Sequence, residues 1–431
     1  MTNFLKIYRY ILYVLAAVPI IRIYLDGMEN DYNPEAYTII LLVNIYMLLC
    51  SRKNFMMLMI TLVIGYCNYS IIYVNYIHIL NGTLYTIHLT EDAFCKNFNV
   101  LALCNCALFY TFPFWKIPPM NMKNIFIDPE LKDGRVLFVL TILLVIVFFV
   151  GFKTPELSGN RGKPRPVYEY AVSMFIIYFY YSGKLRSYMI LGMIMVAFYA
   201  LQNFIFGGRI YGLQFLLAAY IMLFMDKIPM KWVITGMLGF FVLFSIIGAV
   251  RGAIMSGNFS VAGILENLSN KGFALDTAYS AYYTAQCDIY VVDSWRVSDD
   301  ERFSYFIDFV KSIFLGESAN RSSVIQNISR RYVHHNGGGV LPQHFYFFFG
   351  PLGSFIPAFI LPVYFRFIQN LKESTNGWVK CVSVFVVCHA FRWYLYSPLG
   401  LFRGVLFLTI VYYGCFVIHH YIPKLSARRI G

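Results

Sequence analysis

Charge is scarce in this chain of 431 residues: 13% are Asp, Glu, Lys or Arg, against 59% hydrophobic, and the mean hydropathy is +0.60. That balance excludes a soluble globular domain and leaves no basic domain on which a nucleic-acid footprint could sit. Acidic residues are the scarcer sign, 22 Asp and Glu against 35 Lys and Arg, for a formal charge of +13. The sequence has no Walker-type loop and no dinucleotide glycine motif after a strand, so an activated donor has to bring its own leaving group. Histidines and cysteines at metal-ligand spacing are also missing. Cys104 and Cys106 are one residue apart with no histidine nearby, and neither metal nor cofactor is expected. No internal repeat is visible. The first apolar run follows Lys6 and Arg9 but lacks a small-residue cleavage site, which reads as a retained signal anchor.

What the chain does have is long apolar runs. A hydrocarbon core of roughly 30 Å takes about 20 apolar helical residues to cross, and in lipid only helices or closed barrels satisfy their own backbone. The runs here are continuous rather than alternating, which predicts an all-α, polytopic membrane protein. About twelve spans are expected, near 5–25, 37–50, 54–77, 98–115, 136–152, 167–182, 188–206, 210–225, 232–250, 342–365, 379–397 and 400–420. Short connections rich in lysine and arginine, among them Arg52/Lys53, Lys116 through Arg135, Lys184/Arg186, Lys227/Lys231 and Arg366 through Lys380, then share one side. The positive-inside rule makes that side, and both termini, cytoplasmic. The expected organisation is one membrane domain over 1–431 with a large outer loop at 252–341.

Three outer segments carry positive charge against the rule: Lys153–Arg165, Arg209, and Arg251–Leu341. Arg209, Arg251 and Arg403 each end a predicted span at the outer face and are followed by glycine, and Arg392 lies one to two turns inside such an end. A guanidinium is always charged and forks onto phosphate oxygens, so these residues suit a diphosphate. Snorkelling to lipid head groups explains any one of them as well. The loop also holds Glu266, Asp276, Asp288, Asp293, Asp299, Asp300, Glu301, Asp308 and Glu317, and Arg296 and Arg302 are expected to pair with the acids at 299–301. Apolar residues recur through 264–275 and 305–315, suggesting helices along the outer face. Tyr279, Tyr282, Tyr283 and Trp295 are candidates for stacking on sugar rings, or for an interfacial aromatic belt. A second constellation is Arg330-Arg331-Tyr332-Val333-His334-His335-Asn336-Gly337, where a histidine can accept a proton near neutral pH beside arginines. Gly337-Gly338-Gly339 ahead of Pro342 marks a close backbone approach to the next span.

Taken in order, these residues resemble the Wzy-type polymerases of O-antigen and other repeat-unit polysaccharides. The resemblance spans roughly residues 136–410. It is carried by Gly207-Gly208-Arg209 at an outer span end, the next outer arginine Arg251, the large loop, the segment His335 to Pro342, and Arg403. It implies a metal-independent glycosyltransferase of GT-C-like architecture at the periplasmic face of a bacterial inner membrane. Such an enzyme moves a growing glycan from undecaprenyl diphosphate onto a lipid-linked repeat unit. Its partners would be those lipid-linked oligosaccharides, membrane lipids and a chain-length regulator protein. On this reading His335, Arg209 and Arg251 are the catalytic candidates, and Arg403, Arg331, Arg330, Arg392, Arg165 and His334 hold substrate. Two alternatives stay open. An O-antigen ligase shares the loop plan and transfers glycan to lipid A–core. A flippase or secondary transporter for an anionic precursor would be expected to show repeated halves and broken midplane helices.

Overall fold

A computed structural model of the chain describes residues 3–28, 34–73, 89–120, 126, 131–153, 163–183, 185–206, 209–225, 227, scattered positions between 232 and 257, 260–271, 276–316, 325–335, 337–369, 371 and 376–421. The described residues are overwhelmingly helical. In chain order the helices are α1 (Asn3–Leu15), α2 (Ala17–Asp26), α3 (Pro34–Ser51), α4 (Phe55–Ile72), α5 (Glu91–Thr111), α6 (Gly134–Val150), α7 (Pro166–Glu169), α8 (Ala171–Tyr181), α9 (Arg186–Ile205) and α10 (Arg209–Leu223). They continue with α11 (Val261–Lys271), α12 (Asp276–Asp293), α13 (Asp299–Leu315), α14 (Ile325–Ser329), α15 (Leu341–Phe349), α16 (Ile356–Gln369), α17 (Gly377–Cys388), α18 (Ala390–Leu395) and α19 (Leu399–Tyr421). One antiparallel pair of two-residue strands, Phe152–Lys153 with Lys163–Pro164, interrupts them.

Five helical stretches among the described residues are long and apolar enough to cross a membrane: Asn3–Asp26, Phe55–Ile72, Arg186–Ile205, Leu341–Gln369 and Leu399–Tyr421. Shorter apolar helices cover Glu35–Ser51, Gly134–Val150, Ile210–Leu223 and Gly377–Cys388. The apolar runs of the sequence thus form helices, except that most of 232–250 lies outside the described residues. Both helices expected from the recurrences at 264–275 and 305–315 are present, as α11 and α13. The helix α12 between them was not expected. Its composition is polar, but Ala278, Ala281, Tyr282, Ala285, Cys287, Ile289 and Val291 are all buried. Tyr282, at 1% exposure, is a core residue and does not present a ring for stacking.

The chain divides into two compact units. The first comprises Met1–Met120, Pro229–Gln369 and Ala390–Gly400. At its centre α5 packs against α2, α3, α12, α15 and α16. This helix buries Lys96, Asn97, Asn99 and Asn105, and each of them ties down a neighbour. Lys96 Nζ is 3.0 Å from Asp293 Oδ2, Asn97 donates to the Tyr282 carbonyl at 3.0 Å, and Asn99 donates to the Met28 carbonyl at 3.0 Å. Asn105 Oδ1 accepts from Asn68 Nδ2 at 2.9 Å, and Asn68 Oδ1 accepts from the Tyr394 hydroxyl at 2.6 Å. That last chain links α4, α5 and α18 inside an otherwise apolar core. Helix starts follow local signals: Asn54 and Thr90 cap α4 and α5, and Ser298 with Glu301 forms a full capping box on α13.

Arg302 of α13 pairs with Asp299 at 2.7 Å, as expected, and has a further role. Its Nε and Nη2 donate to the carbonyls of Phe347 and Tyr346 at 2.7 and 3.2 Å. Those are last-turn carbonyls of α15, where the chain breaks into the 3-10 segment Gly350–Phe355; the Tyr346 carbonyl also accepts the Gly350 N–H.

The second unit comprises Asn121–Ile228, Asn370–His389 and Leu401–Gly431. Helix α8, buried along its whole length, packs against α6, α9, α10 and α17. Asp133 caps α6 and also receives Arg135 Nη2 at 2.7 Å and His419 Nδ1 at 2.8 Å. Burial works to raise its pKa, but the bonds from Arg135 and His419 outweigh it and hold the carboxyl well below the usual range.

Replacing Asn68 with leucine strips Asn105 Oδ1 and the Tyr394 hydroxyl of these partners, at an expected cost of ~1–3 kcal/mol read as a lower Tm. Tyr394→Phe, which opens only one acceptor, should cost less. Equal melting of Asn68→Leu and wild type would contradict the account.

Candidate functional site

The histidine and glycine segment at 335–340 runs through the first unit between α12, α14, α15 and α18. Its glycines are required by space and by backbone. Gly337 and Gly338 have φ of +91° and +100°, where a side chain is strained. A Cβ on Gly338 would lie 3.1 Å from Ala281 Cα, and one on Gly339 would lie 2.6 Å from His344 Cε1. Hydrogen bonds fix the path. Thr284 Oγ1 donates to the Gly337 carbonyl at 3.0 Å, and the Gly339 N–H donates to the Leu395 carbonyl at 3.0 Å. Gln326 of α14 donates to the Tyr396 carbonyl at 2.9 Å and lies 3.4 Å from His344 Nε2.

The doubled histidine divides cleanly: His334 is exposed, and His335 is buried at 5% exposure. The N–H of Gly337 donates to His335 Nδ1 at 3.2 Å. In a neutral ring the proton therefore sits on Nε2, which donates to Ser329 Oγ at 2.9 Å. Burial, reinforced by Arg330 and His334, pushes the His335 pKa down to about 4, so the ring is neutral near neutral pH. Arg330 is exposed. Its Nε donates to the His335 carbonyl at 3.3 Å, and its Nη2 lies 2.5 Å from where a Gly337 Cβ would be. The arginine thus lies directly over the glycine turn.

Behind Ser329 lies Asp288, 1% exposed on α12. Sequence reasoning placed it among the loop acids available for pairing. It is instead enclosed, and among the described residues neither carboxyl oxygen has a hydrogen-bond partner meeting ordinary geometry. Burial pushes its pKa up to about 8, with the adjacent Ser329 and Arg330 opposing. The signal that would have found it is the spacing on α12. Ala281, Thr284, Ala285 and Asp288 recur at three and four residues, a buried face carrying one acid.

The other sequence candidates are dispersed. Arg331 is exposed beside Arg330. Arg392 of α18 lies over the Tyr396 ring at 4.7 Å. In the second unit Arg165 is exposed ahead of α7, Arg209 is the first residue of α10, and Arg403 lies over the Tyr170 ring at 5.8 Å. Arg251 and Glu317 lie outside the described residues. Only Arg330 and His335, of all these, are in direct contact among the bonds described. No three of His, Cys, Asp and Glu gather as a metal site among the described residues. No protein-family model, curated protein or solved structure matches the chain.

The site makes a signed prediction about stability. A folded pKa raised from 3.8 to about 8 means that Asp288 contributes fully below about pH 4, and that this contribution is lost as pH rises through about 8. His335, lowered from 6.5 to about 4, works the other way and loses its contribution as pH falls through about 4. Asp288→Asn, which mimics the neutral acid, should match wild type in Tm near pH 4 and exceed it above pH 8. A parallel pH profile for the two proteins would show that Asp288 is not held neutral by the fold.

Proposed function

We propose that this chain is a polymerase of polyprenyl-diphosphate-linked repeat units, the class its sequence resembles. It works as a metal-independent glycosyltransferase at the outer face of the bacterial inner membrane. On this reading the chain crosses about twelve times in a GT-C-like arrangement, both termini are cytoplasmic, and 252–341 is periplasmic. The observation that carries the reading is an exposed arginine bonded to the backbone of a buried histidine on one glycine turn, Arg330 Nε to the His335 carbonyl at 3.3 Å.

The reaction needs those two functions side by side. An acceptor hydroxyl attacks the anomeric carbon of the donor glycan, and the bond to diphosphate breaks with its electron pair going to the leaving group. A fixed guanidinium stabilises the charge that gathers on the diphosphate, and a neutral imidazole takes the hydroxyl proton. Arg330 supplies the first from the exposed side of the turn and His335 the second from the buried side. Arg331 extends the same positive edge. The resemblance, taken by itself, assigns Arg209, Arg251, Arg403, Arg392, Arg165 and His334 to the lipid-linked substrate as well.

Cells relying on a His335→Ala copy should make surface glycan cut to a single repeat unit, or at most a short ladder. The expected loss is ~10²–10⁴-fold in rate at unchanged membrane abundance. Arg330→Lys should also shorten the ladder, because the planar fork is lost although the charge is kept. A full-length ladder from His335→Ala would refute the assignment. Full-length polymer without transfer to its final acceptor would instead favour the ligase reading.

A further inference from the structure

We propose that Asp288, Ser329 and His335 form a proton relay in which Asp288 is the terminal acceptor of the proton taken from the acceptor hydroxyl. The inference rests on reading the chain as a glycan polymerase. It gives Asp288 a positioning role, since it acts through Ser329 and touches no reacting atom.

The geometry supplies the links from the glycine turn through His335 to Ser329, and places a buried carboxyl beside that serine. His335 Nδ1 already accepts a hydrogen bond, from the Gly337 N–H at 3.2 Å, so its lone pair is presented on the side of the glycine turn. A substrate hydroxyl entering there would replace one donor with another. On the far side of the ring, Nε2 donates to Ser329 Oγ at 2.9 Å. Ser329 has a single proton, and its other contact is a long 3.3 Å bond to the Ile325 carbonyl, one turn back on its own helix. The Asp288 carboxyl lies next to this hydroxyl and is enclosed with both oxygens unpartnered among the described residues. On this proposal the serine proton turns from the Ile325 carbonyl toward Asp288. Buried orphan oxygens on a carboxyl are costly and call for a reason; accepting a proton during turnover is one.

The step balances. The hydroxyl oxygen bonds to the anomeric carbon while the carbon–oxygen bond to diphosphate breaks, the departing diphosphate keeping the electron pair. The hydroxyl proton passes to Nδ1, the Nε2 proton to Ser329, and the serine proton to the Asp288 carboxylate. One proton leaves the acceptor, one arrives on Asp288, and the ring ends neutral in its other tautomer. The relay explains why an imidazole pushed down to about 4 can serve at all. A carboxyl pushed up to about 8 holds the proton roughly 10⁴-fold more tightly than that imidazole. The charged or titratable groups on the elements packed around Asp288 include Arg330, His335, Arg392 and Tyr394, His344 and Tyr346, Asp92 and Lys96 (paired with Asp293) and, on α12 itself, Asp276, Tyr283 and Cys287. Of these, Arg330 is the one whose charge acts on the Asp288 carboxyl.

The test uses the full-length protein in lipid nanodiscs with a polyprenyl-diphosphate-linked repeat unit. Polymerisation is followed from about pH 6 to pH 10, and the protonated-carboxyl infrared band is recorded over the same range. Wild-type kcat should rise about tenfold per pH unit and level off above about pH 8. The carboxyl band should fade over the same interval and be missing in Asp288→Asn. Asp288→Asn and Ser329→Ala should lose that pH dependence and about 10²-fold in kcat, with KM little changed and melting still cooperative. Wild-type kcat and pH profile in folded Asp288→Asn would overturn the relay and leave the polymerase reading standing, as would a carboxyl band that does not titrate. A wild-type protein that joins no repeat units would overturn the polymerase reading and the relay with it.

Discussion

A polar group enclosed by apolar helices has to find its partner inside the protein, and the segment at 335–340 meets that demand from three helices at once. Thr284 of α12, Ser329 of α14 and Leu395 of α18 supply its bonds. Only glycine allows the backbone this close, and only close backbone brings the His335 ring against Ser329. The identity of the histidine's protonated nitrogen follows from the Gly337 N–H, and the neutrality of the ring follows from its burial. The state of the ring is therefore a consequence of packing: loosen the glycine turn and the imidazole loses its tautomer and its serine.

Two of the buried polar networks among the described residues of the first unit differ in character. The chain Tyr394–Asn68–Asn105 is closed by side-chain hydrogen bonds and by the Leu101 carbonyl, and it fixes how α4, α5 and α18 pack. A satisfied network of this kind specifies structure. The network around 335–344 is open at several atoms. Asp288 Oδ1 and Oδ2, Gln343 Oε1 and His344 Nδ1 have no hydrogen-bond partner among the described residues. At the edge of the site one guanidinium, that of Arg302, bonds two last-turn carbonyls of α15 and meets Asp299.

Much of the fold was legible in the sequence because continuous apolar runs and capping residues are local signals. The runs near 54–77, 188–206 and 400–420 became α4, α9 and α19. Arg302 with Asp299 was readable from spacing alone. Helix α12 was not, because Asp276, Thr284, Gln286, Asp288 and Asp293 give it the composition of an extramembrane loop. Its burial comes from α4, α5 and α15, elements far away in sequence. The same reason hid Asp288: an acid in a charged loop reads as a pairing partner until packing encloses it. His335 was legible as the member of the pair next to the glycines, and the structure gives it the burial that its neighbour His334 lacks. The aromatic reading of Tyr282 failed because a tyrosine on a polar helix can still face the core.

At the centre of this account is a neutral imidazole at His335, protonated on Nε2 and held by Ser329 and the Gly337 N–H. Nitrogen-15 NMR of histidine-labelled protein, with the His335 signal assigned by its loss in His335→Gln, reads that state directly. The account predicts a neutral ring with the proton on Nε2 from about pH 6 to pH 8. An imidazolium in that range, or a ring carrying its proton on Nδ1, would contradict it.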